Sequence, residues 1–136
     1  MQNRRRFMEK AAAMLSVVAI NPLASHAAAP AVRLEGALAH HVFFWLHEPN
    51  NPEVRRTFEA ALKELRRVPT IKLAHIGVPA GTESRDVVDH SYTYCMLTFF
   101  DSQEGQDAYQ IDPIHDKFVE QNNHLWKKVV VYDSIG

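Results

Sequence analysis

The chain has 136 residues, of which 46% are hydrophobic and 23% are charged, and its formal net charge is −1 at pH 7. This length and composition are typical of one globular domain and differ from those of disordered or fibrous proteins. No basic stripe is interleaved with aromatic residues, which argues against a nucleic-acid-binding protein. Cys95 is the only cysteine, so the chain cannot form an internal disulfide. Its stability must therefore come from an apolar core or from a partner subunit.

The first 27 residues have the composition of a targeting peptide. Three arginines at positions 4–6 precede an apolar stretch from Ala11 to Ile20, and Ser25-His26-Ala27 places small residues at the −3 and −1 positions of a cleavage site. The arginine flank resembles the twin-arginine export signal. An amphipathic or buried first helix is the alternative, but the segment offers no polar face. We therefore interpret residues 1–27 as a signal peptide.

This interpretation predicts a periplasmic or secreted protein after cleavage. The apolar stretch is about ten residues long, whereas a helix needs about 20 residues to span a bilayer, so we expect no stable membrane anchor. Residues 28–37 would then form an N-terminal linker, and residues 38–136 would form the single folded domain.

The rest of the chain alternates between strand-like and helix-like patterns. A run of β-branched and aromatic residues predicts the first strand, from Leu38 to His47. Asn51, Pro52 and Glu53 then form a helix start signal, and apolar residues recur at intervals of three and four up to Val68. Further along, the patterns predict strands at residues 71–78, 92–100 and 128–134, and two short helices before the last strand, the second of which carries Ile114, Phe118, Leu125 and Trp126.

The order of these elements is β-α-β-β-α-β, with the two short helices counted as one helical segment. This order is typical of an α+β, ferredoxin-like fold, in which helices cover one face of a four-stranded antiparallel sheet. The first strand is apolar on both sides, because Val42 and Phe44 alternate with His41, Phe43 and Trp45. The sheet face without helices therefore needs an apolar cover, and we expect a homodimer that closes two sheets into a barrel. A monomer with a large apolar cavity is the alternative.

Several short motifs resemble those of the stress-responsive alpha-beta barrel (Dabb) family. They are His41-Val42 in the first strand, Phe99-Phe100-Asp101-Ser102 at the end of the third strand, and Tyr109 followed by Asp112-Pro113-Ile114-His115 and Phe118. The resemblance covers residues 38–134. It implies a dimeric alpha-beta barrel with a pocket between sheet and helices in each subunit.

The resemblance also implies candidate site residues. One plant member of the family is a polyketide cyclase that needs no cofactor and uses a histidine and a tyrosine, which correspond by position to His115 and Tyr109. His41 corresponds to a further histidine in the first strand. These three residues are the candidate catalytic groups. We expect them to converge on a pocket with three aromatic wall residues, Trp45, Tyr94 and Phe118.

A histidine with a pKa near 6.5 beside a tyrosine hydroxyl is a competent proton-transfer pair. For each of the two residues, a structural role is the alternative to proton transfer. His115 can instead cap or brace the second short helix, and Tyr109 can be a core residue whose hydroxyl lies at the pocket rim. The histidines show none of the spacings typical of metal ligands, so we expect no metal site and no cofactor.

The sequence contains no glycine-rich phosphate loop, no nucleophile elbow and no paired catalytic carboxylates. These absences argue against nucleotide-dependent enzymes, hydrolases of the nucleophile-elbow type and glycosidases. Two functions remain. The first is the binding of a small apolar or aromatic molecule without turnover. The second is a cofactor-independent enzyme, namely a cyclase, isomerase or monooxygenase that uses the His/Tyr pair.

Overall fold

The computed structural model describes residues 33–136. The predicted signal peptide, residues 1–27, lies outside the described residues, and so do residues 28–32 of the predicted linker. In the described part of the chain, no helix is long and apolar enough to cross a membrane. The elements in chain order are β1 (Leu38–Leu46), α1 (Pro52–Leu65), β2 (Leu73–Gly77), β3 (Tyr94–Phe100), α2 (Gln103–Gln110), α3 (Pro113–Asn122), a 3-10 turn (Asn123–Leu125) and β4 (Trp126–Ile135).

The four strands form one antiparallel sheet in the order β2-β3-β1-β4. Strand β1 is therefore central and pairs with β3 on one side and β4 on the other, while β2 and β4 are the edge strands. The buried residues of the three helices pack against one face of this sheet. This is the predicted ferredoxin-like α+β fold with a split β-α-β-β-α-β order, and that prediction is confirmed.

Helix α1 begins where the sequence predicts. The Asn51 side chain accepts hydrogen bonds from the backbone N–H groups of Glu53 and Val54, at 3.0 and 3.4 Å, and Pro52 occupies the first helical position. An N-cap of this kind stabilises a helix by about 1 kcal/mol relative to alanine. The helix buries Phe58, Leu62 and Leu65 against the sheet. The sequence pattern therefore places the helix and its apolar face correctly.

The core between sheet and helices is rich in aromatic rings. Phe58 is fully buried, and its ring centroid lies 5.1 Å from that of Phe44 and 6.0 Å from that of Phe118. Burying a ring of this size stabilises the fold by about 1.5–3 kcal/mol relative to leaving it in water. These contacts join β1, α1 and α3, so they fix the position of α3 over the sheet.

The predicted helical position of Trp126 is wrong. Helix α3 ends at Asn122, and Trp126 begins β4, where it pairs with Leu46. From the strand, its ring stacks on that of Phe118, with the centroids 5.7 Å apart and the planes at 19°. Phe118 and Trp126 are therefore in contact across the core, and they do not lie on one face of a continuous helix.

Candidate functional site

A cavity of about 150 Å³ lies between the sheet and helices α2 and α3. Its walls are mostly apolar, and its polar side chains come from β1, β3, α2 and α3. Three of the lining residues, Val119, Val129 and Val131, are each more than a third exposed, so the cavity opens to solvent between α3 and β4. The lining residues are His40, Val42, Phe44, Leu65, Met96, Thr98, Tyr109, Gln110, His115, Phe118, Val119, Trp126, Val129 and Val131.

The break between α2 and α3 brings the rings of Tyr109 and His115 into contact, with their planes at 59°. Tyr109 lies in the last turn of α2, and Pro113 occupies the first turn of α3, where a proline does not disturb the hydrogen bonding. The Asp112 side chain caps α3 by accepting a hydrogen bond of 2.8 Å from the Ile114 N–H. The ring centroids of Tyr109 and His115 are 4.6 Å apart. The capping role considered for His115 thus belongs to Asp112.

His40 is a further polar residue of the cavity, and it is not among the site residues predicted from the sequence. His40 is 5% exposed, and its ring centroid lies 5.7 Å from that of Tyr109. It is paired with Asp133 of β4, which is directly opposite in the antiparallel register. The His40 Nδ1 atom is 2.6 Å from the Asp133 Oδ1 atom.

The pairing with Asp133 determines which nitrogen of His40 can accept a proton. An ionised carboxylate can only accept hydrogen bonds, so Nδ1 of the neutral imidazole carries the hydrogen and donates it to Asp133. Nε2 then holds the free lone pair. His40 therefore has the arrangement of a general base whose orientation and tautomer are fixed by a second side chain.

The surroundings of Tyr109 and His115 keep both groups neutral at neutral pH. Burial raises the pKa of the Tyr109 hydroxyl, so it remains protonated and can donate a hydrogen bond. Burial is also the largest cause lowering the pKa of His115, and the nearby Asp116 carboxylate opposes it. His115 Nδ1 is buried without a hydrogen-bond partner in the described residues. An unpaired buried nitrogen costs about 1–3 kcal/mol, and a polar ligand could satisfy it.

Three of the predicted pocket residues lie elsewhere. His41 and Trp45 project from the opposite face of β1, because side chains alternate along a strand and His40 takes the cavity face. Tyr94 lies on the helix-covered face but away from the cavity, where its hydroxyl donates to Glu59 and the Arg55 guanidinium is 4.8 Å from its ring centroid. The prediction that these three side chains line one pocket with Tyr109 and His115 is therefore wrong. Phe118 does line it.

Comparison with known proteins places this fold in a family. The model of the stress-responsive A/B barrel (Dabb) domain matches residues 38–135, which is nearly all of the described chain. The chain belongs to the Dabb family. No curated protein matches the sequence. Among residues 33–136, no group of three or more His, Cys, Asp or Glu side chains could hold a metal ion.

Solved structures resemble this Dabb domain at low sequence identity. A dimeric ferredoxin-like protein of unknown function from Thermobifida fusca is 18% identical with a TM-score of 0.62, covering 78% of this chain and 97% of its own. A Dabb family protein with a ferredoxin-like fold from Mesorhizobium loti is 19% identical with a TM-score of 0.62, at 75% and 98% coverage. The hydroxynitrile lyase from Passiflora edulis is 20% identical with a TM-score of 0.63, at 76% and 95% coverage. At these identities the likeness establishes the fold alone.

Proposed function

We propose that this Dabb domain binds a small apolar or aromatic molecule in the His40 cavity and transfers a proton on it without a cofactor. The observation that carries the proposal is the His40–Asp133 pair, with Nδ1 and Oδ1 2.6 Å apart, beside the buried Tyr109 hydroxyl. A protein that only stores an apolar ligand has no need of an oriented histidine. A general base, in contrast, contributes about 10²–10⁴-fold to a proton-transfer rate.

His40, Tyr109 and His115 have different roles in one proton-transfer step. The His40 Nε2 lone pair accepts a proton from a hydroxyl group or an activated carbon of the ligand. Negative charge then develops on a ligand oxygen, and the Tyr109 hydroxyl and His115 can donate hydrogen bonds to it. Because these donors lie in a mostly apolar cavity, their hydrogen bonds are stronger than they would be in water.

The size and lining of the cavity define the class of ligand. A cavity of about 150 Å³ is large enough for one benzene ring, and the walls offer Phe44, Phe118 and Trp126 as aromatic contacts. The ligand must also carry an oxygen to pair with Tyr109 and His115. A small hydroxyl or carbonyl compound with one ring meets both conditions. The hydroxynitrile lyase with the same fold supports an aromatic cyanohydrin, an α-hydroxynitrile, as the first compound to test.

Activity assays on the wild type and on a variant without the Tyr109 hydroxyl test this function. The purified protein is mixed with an aromatic cyanohydrin, and release of aldehyde and cyanide is measured. In parallel, exchange of the α-proton of a small aryl ketone is followed in deuterated water by NMR. We expect Tyr109→Phe to slow whichever reaction the wild type catalyses by about 10²-fold, because one oxyanion donor is lost, while the ligand still binds.

The same experiment separates an enzyme from a binding protein. Wild-type protein that binds the aryl ketone but neither exchanges its proton nor cleaves the cyanohydrin would be a carrier, and the catalytic proposal would be wrong. Asp107→Asn is a matched control, since Asp107 is an exposed residue of α2 that does not line the cavity. Its rate should equal that of the wild type.

We also propose that the domain forms a homodimer through the sheet face without helices, here called the open face. Its side chains come from alternate strand residues, among them Phe43, Leu97 and Phe99, which are only partly buried within one chain. Large apolar surfaces of this kind are uncommon on monomeric proteins. The similar ferredoxin-like protein from Thermobifida fusca is dimeric, which supports a homodimer.

Export across the inner membrane is a further proposal, and it rests on the sequence of residues 1–27. We expect the mature protein to begin at or near Ala28 and to be found in the periplasm or the medium. Intact-mass measurement of the protein isolated from its native cells tests this. Recovery of the full chain with Met1–Ala27 retained, and only in the cytoplasm, would contradict it.

A further inference from the structure

The open face carries two histidines on an otherwise apolar surface. His41 of β1 and His75 of β2 are both aligned with Leu97 of β3, so they flank one apolar residue on the same side of the sheet. The neighbouring positions along β1 and β3 are Ala39, Phe43, Cys95 and Phe99. Two titratable imidazoles therefore lie in the middle of the surface proposed for assembly.

His41 has little to stabilise a positive charge. Its ring packs on Phe43, with the centroids 4.1 Å apart, and its Nε2 atom is buried without a hydrogen-bond partner in the described residues. No carboxylate occupies an open-face position of the four described strands. The titratable and charged groups on that face are His75, Cys95, Lys128 and Tyr132. Asp89 and Tyr92 precede β3, with Asp89 near Lys128, and Asp101 follows β3 and is paired with Lys72.

We propose that His41 and His75 make dimer formation through the open face depend on pH, so that acidification separates the two copies. This inference rests on the homodimer proposed above. In the assembled state, each protonated imidazole would be a buried cation without a counter-ion. The strands of a second copy add further histidines and no carboxylate to the open face, so two-fold symmetry increases the repulsion.

The direction of the effect follows from proton linkage. Burial, His75 and His40 all lower the pKa of His41 within one chain, and covering the open face lowers it further. The separated chains therefore bind more protons than the dimer does between the two pKa values of His41. Dimer formation is then strongest at neutral pH and weakens as the pH falls through the lowered pKa of His41, below the ordinary histidine pKa of about 6.5.

Sedimentation at a series of pH values tests the inference on the wild-type protein. At about pH 8 we expect a dimer, and below about pH 5.5 we expect the dissociation constant to rise about tenfold per pH unit for each proton taken up. The two copies of His41 account for about two protons per dimer in this slope, and His75 can add to that number. Circular dichroism at each pH confirms that the separated chains remain folded.

Variants identify the responsible groups. His41→Gln removes the titrating imidazole at that position, and we expect it to reduce the pH dependence by at least half while leaving a dimer at about pH 8. His75→Gln should have a smaller effect in the same direction, because His75 is exposed within one chain. His124→Gln is the control, since His124 is exposed and lies outside the open face, and it should titrate like the wild type.

The possible results distinguish the pH dependence of the dimer from dimer formation itself. A monomer at about pH 8 would overturn both. A wild-type dimer whose dissociation constant does not change between about pH 8 and pH 4.5 would overturn the inference and leave the dimer standing. If His41→Gln does not fold, the proton number from the wild-type slope decides, because a value near zero contradicts the inference. A His41→Gln dimer with unchanged pH dependence contradicts it as well.

Discussion

Replacing His40 with Gln should lower the rate of the proposed proton-transfer reaction by about 10²–10⁴-fold, because the proposed general base is removed while the cavity keeps its shape. Asp133→Asn should have an effect nearly as large. The amide can donate a hydrogen bond to Nδ1, which would place the imidazole hydrogen on Nε2 and leave no lone pair there. Ligand binding should change little in both variants. Steady-state rates and ligand titrations on the same preparations check these expectations.

Two matched variants show whether the loss is specific to this pair. His41→Gln changes the adjacent histidine on the other face of β1, and Asp107→Asn changes an exposed carboxylate of α2. At neutral pH both should retain the wild-type rate. If His40→Gln retains full activity, or if His41→Gln loses as much as His40→Gln, the assignment of His40 as the base is wrong.

Replacing Phe43 with Asp should prevent dimer formation, raising the dissociation constant by at least about 10²-fold. The residue is at the centre of the open face, with its ring centroid 4.9 Å from that of Tyr92 and 6.0 Å from that of Tyr132. In the dimer, each copy would bury one unpaired carboxylate, at a cost of several kcal/mol. Each 1.4 kcal/mol corresponds to a factor of ten in the dissociation constant. Analytical ultracentrifugation at neutral pH measures the change.

The control for this variant is Val87→Asp, at a position that is 85% exposed and lies in the loop between β2 and β3. It adds the same charge away from the sheet and should leave the dimer unchanged. If the Phe43→Asp protein remains dimeric with an unchanged dissociation constant, the two copies associate through another surface.

The sequence predicts the fold well because the signals for it are local. The cap at Asn51, the proline at the start of α3 and the alternation along β1 each involve neighbouring residues, and the structure retains all three. Trp126 is the exception. Its spacing from Phe118 suits a helix, but the contact between the two rings crosses the core from a strand.

The candidate site is only partly visible in the sequence, for a physical reason. Tyr109 and His115 are six positions apart across a helix break, so a local motif brings them together. The alternation along β1 places His40 on the same side as Val42 and Phe44, so the sequence pattern does indicate which face His40 occupies. Asp133 is different, because it is 93 positions from His40 and only the pairing of β1 with β4 makes them neighbours.

The alignment of β4 with β1 therefore has a consequence for which related chains can keep the His40–Asp133 pair. Sliding β4 by one residue would turn Asp133 to the other face of the sheet, and it would also turn Val129 and Val131 out of the cavity wall. A related chain can thus keep Tyr109 and His115 in their motif and yet lose its oriented base through a single insertion or deletion near Trp126. Conservation of the motif with Tyr109 and His115 therefore does not by itself establish a shared activity. The length of the segment from α3 to β4 indicates which relatives retain the His40–Asp133 pair.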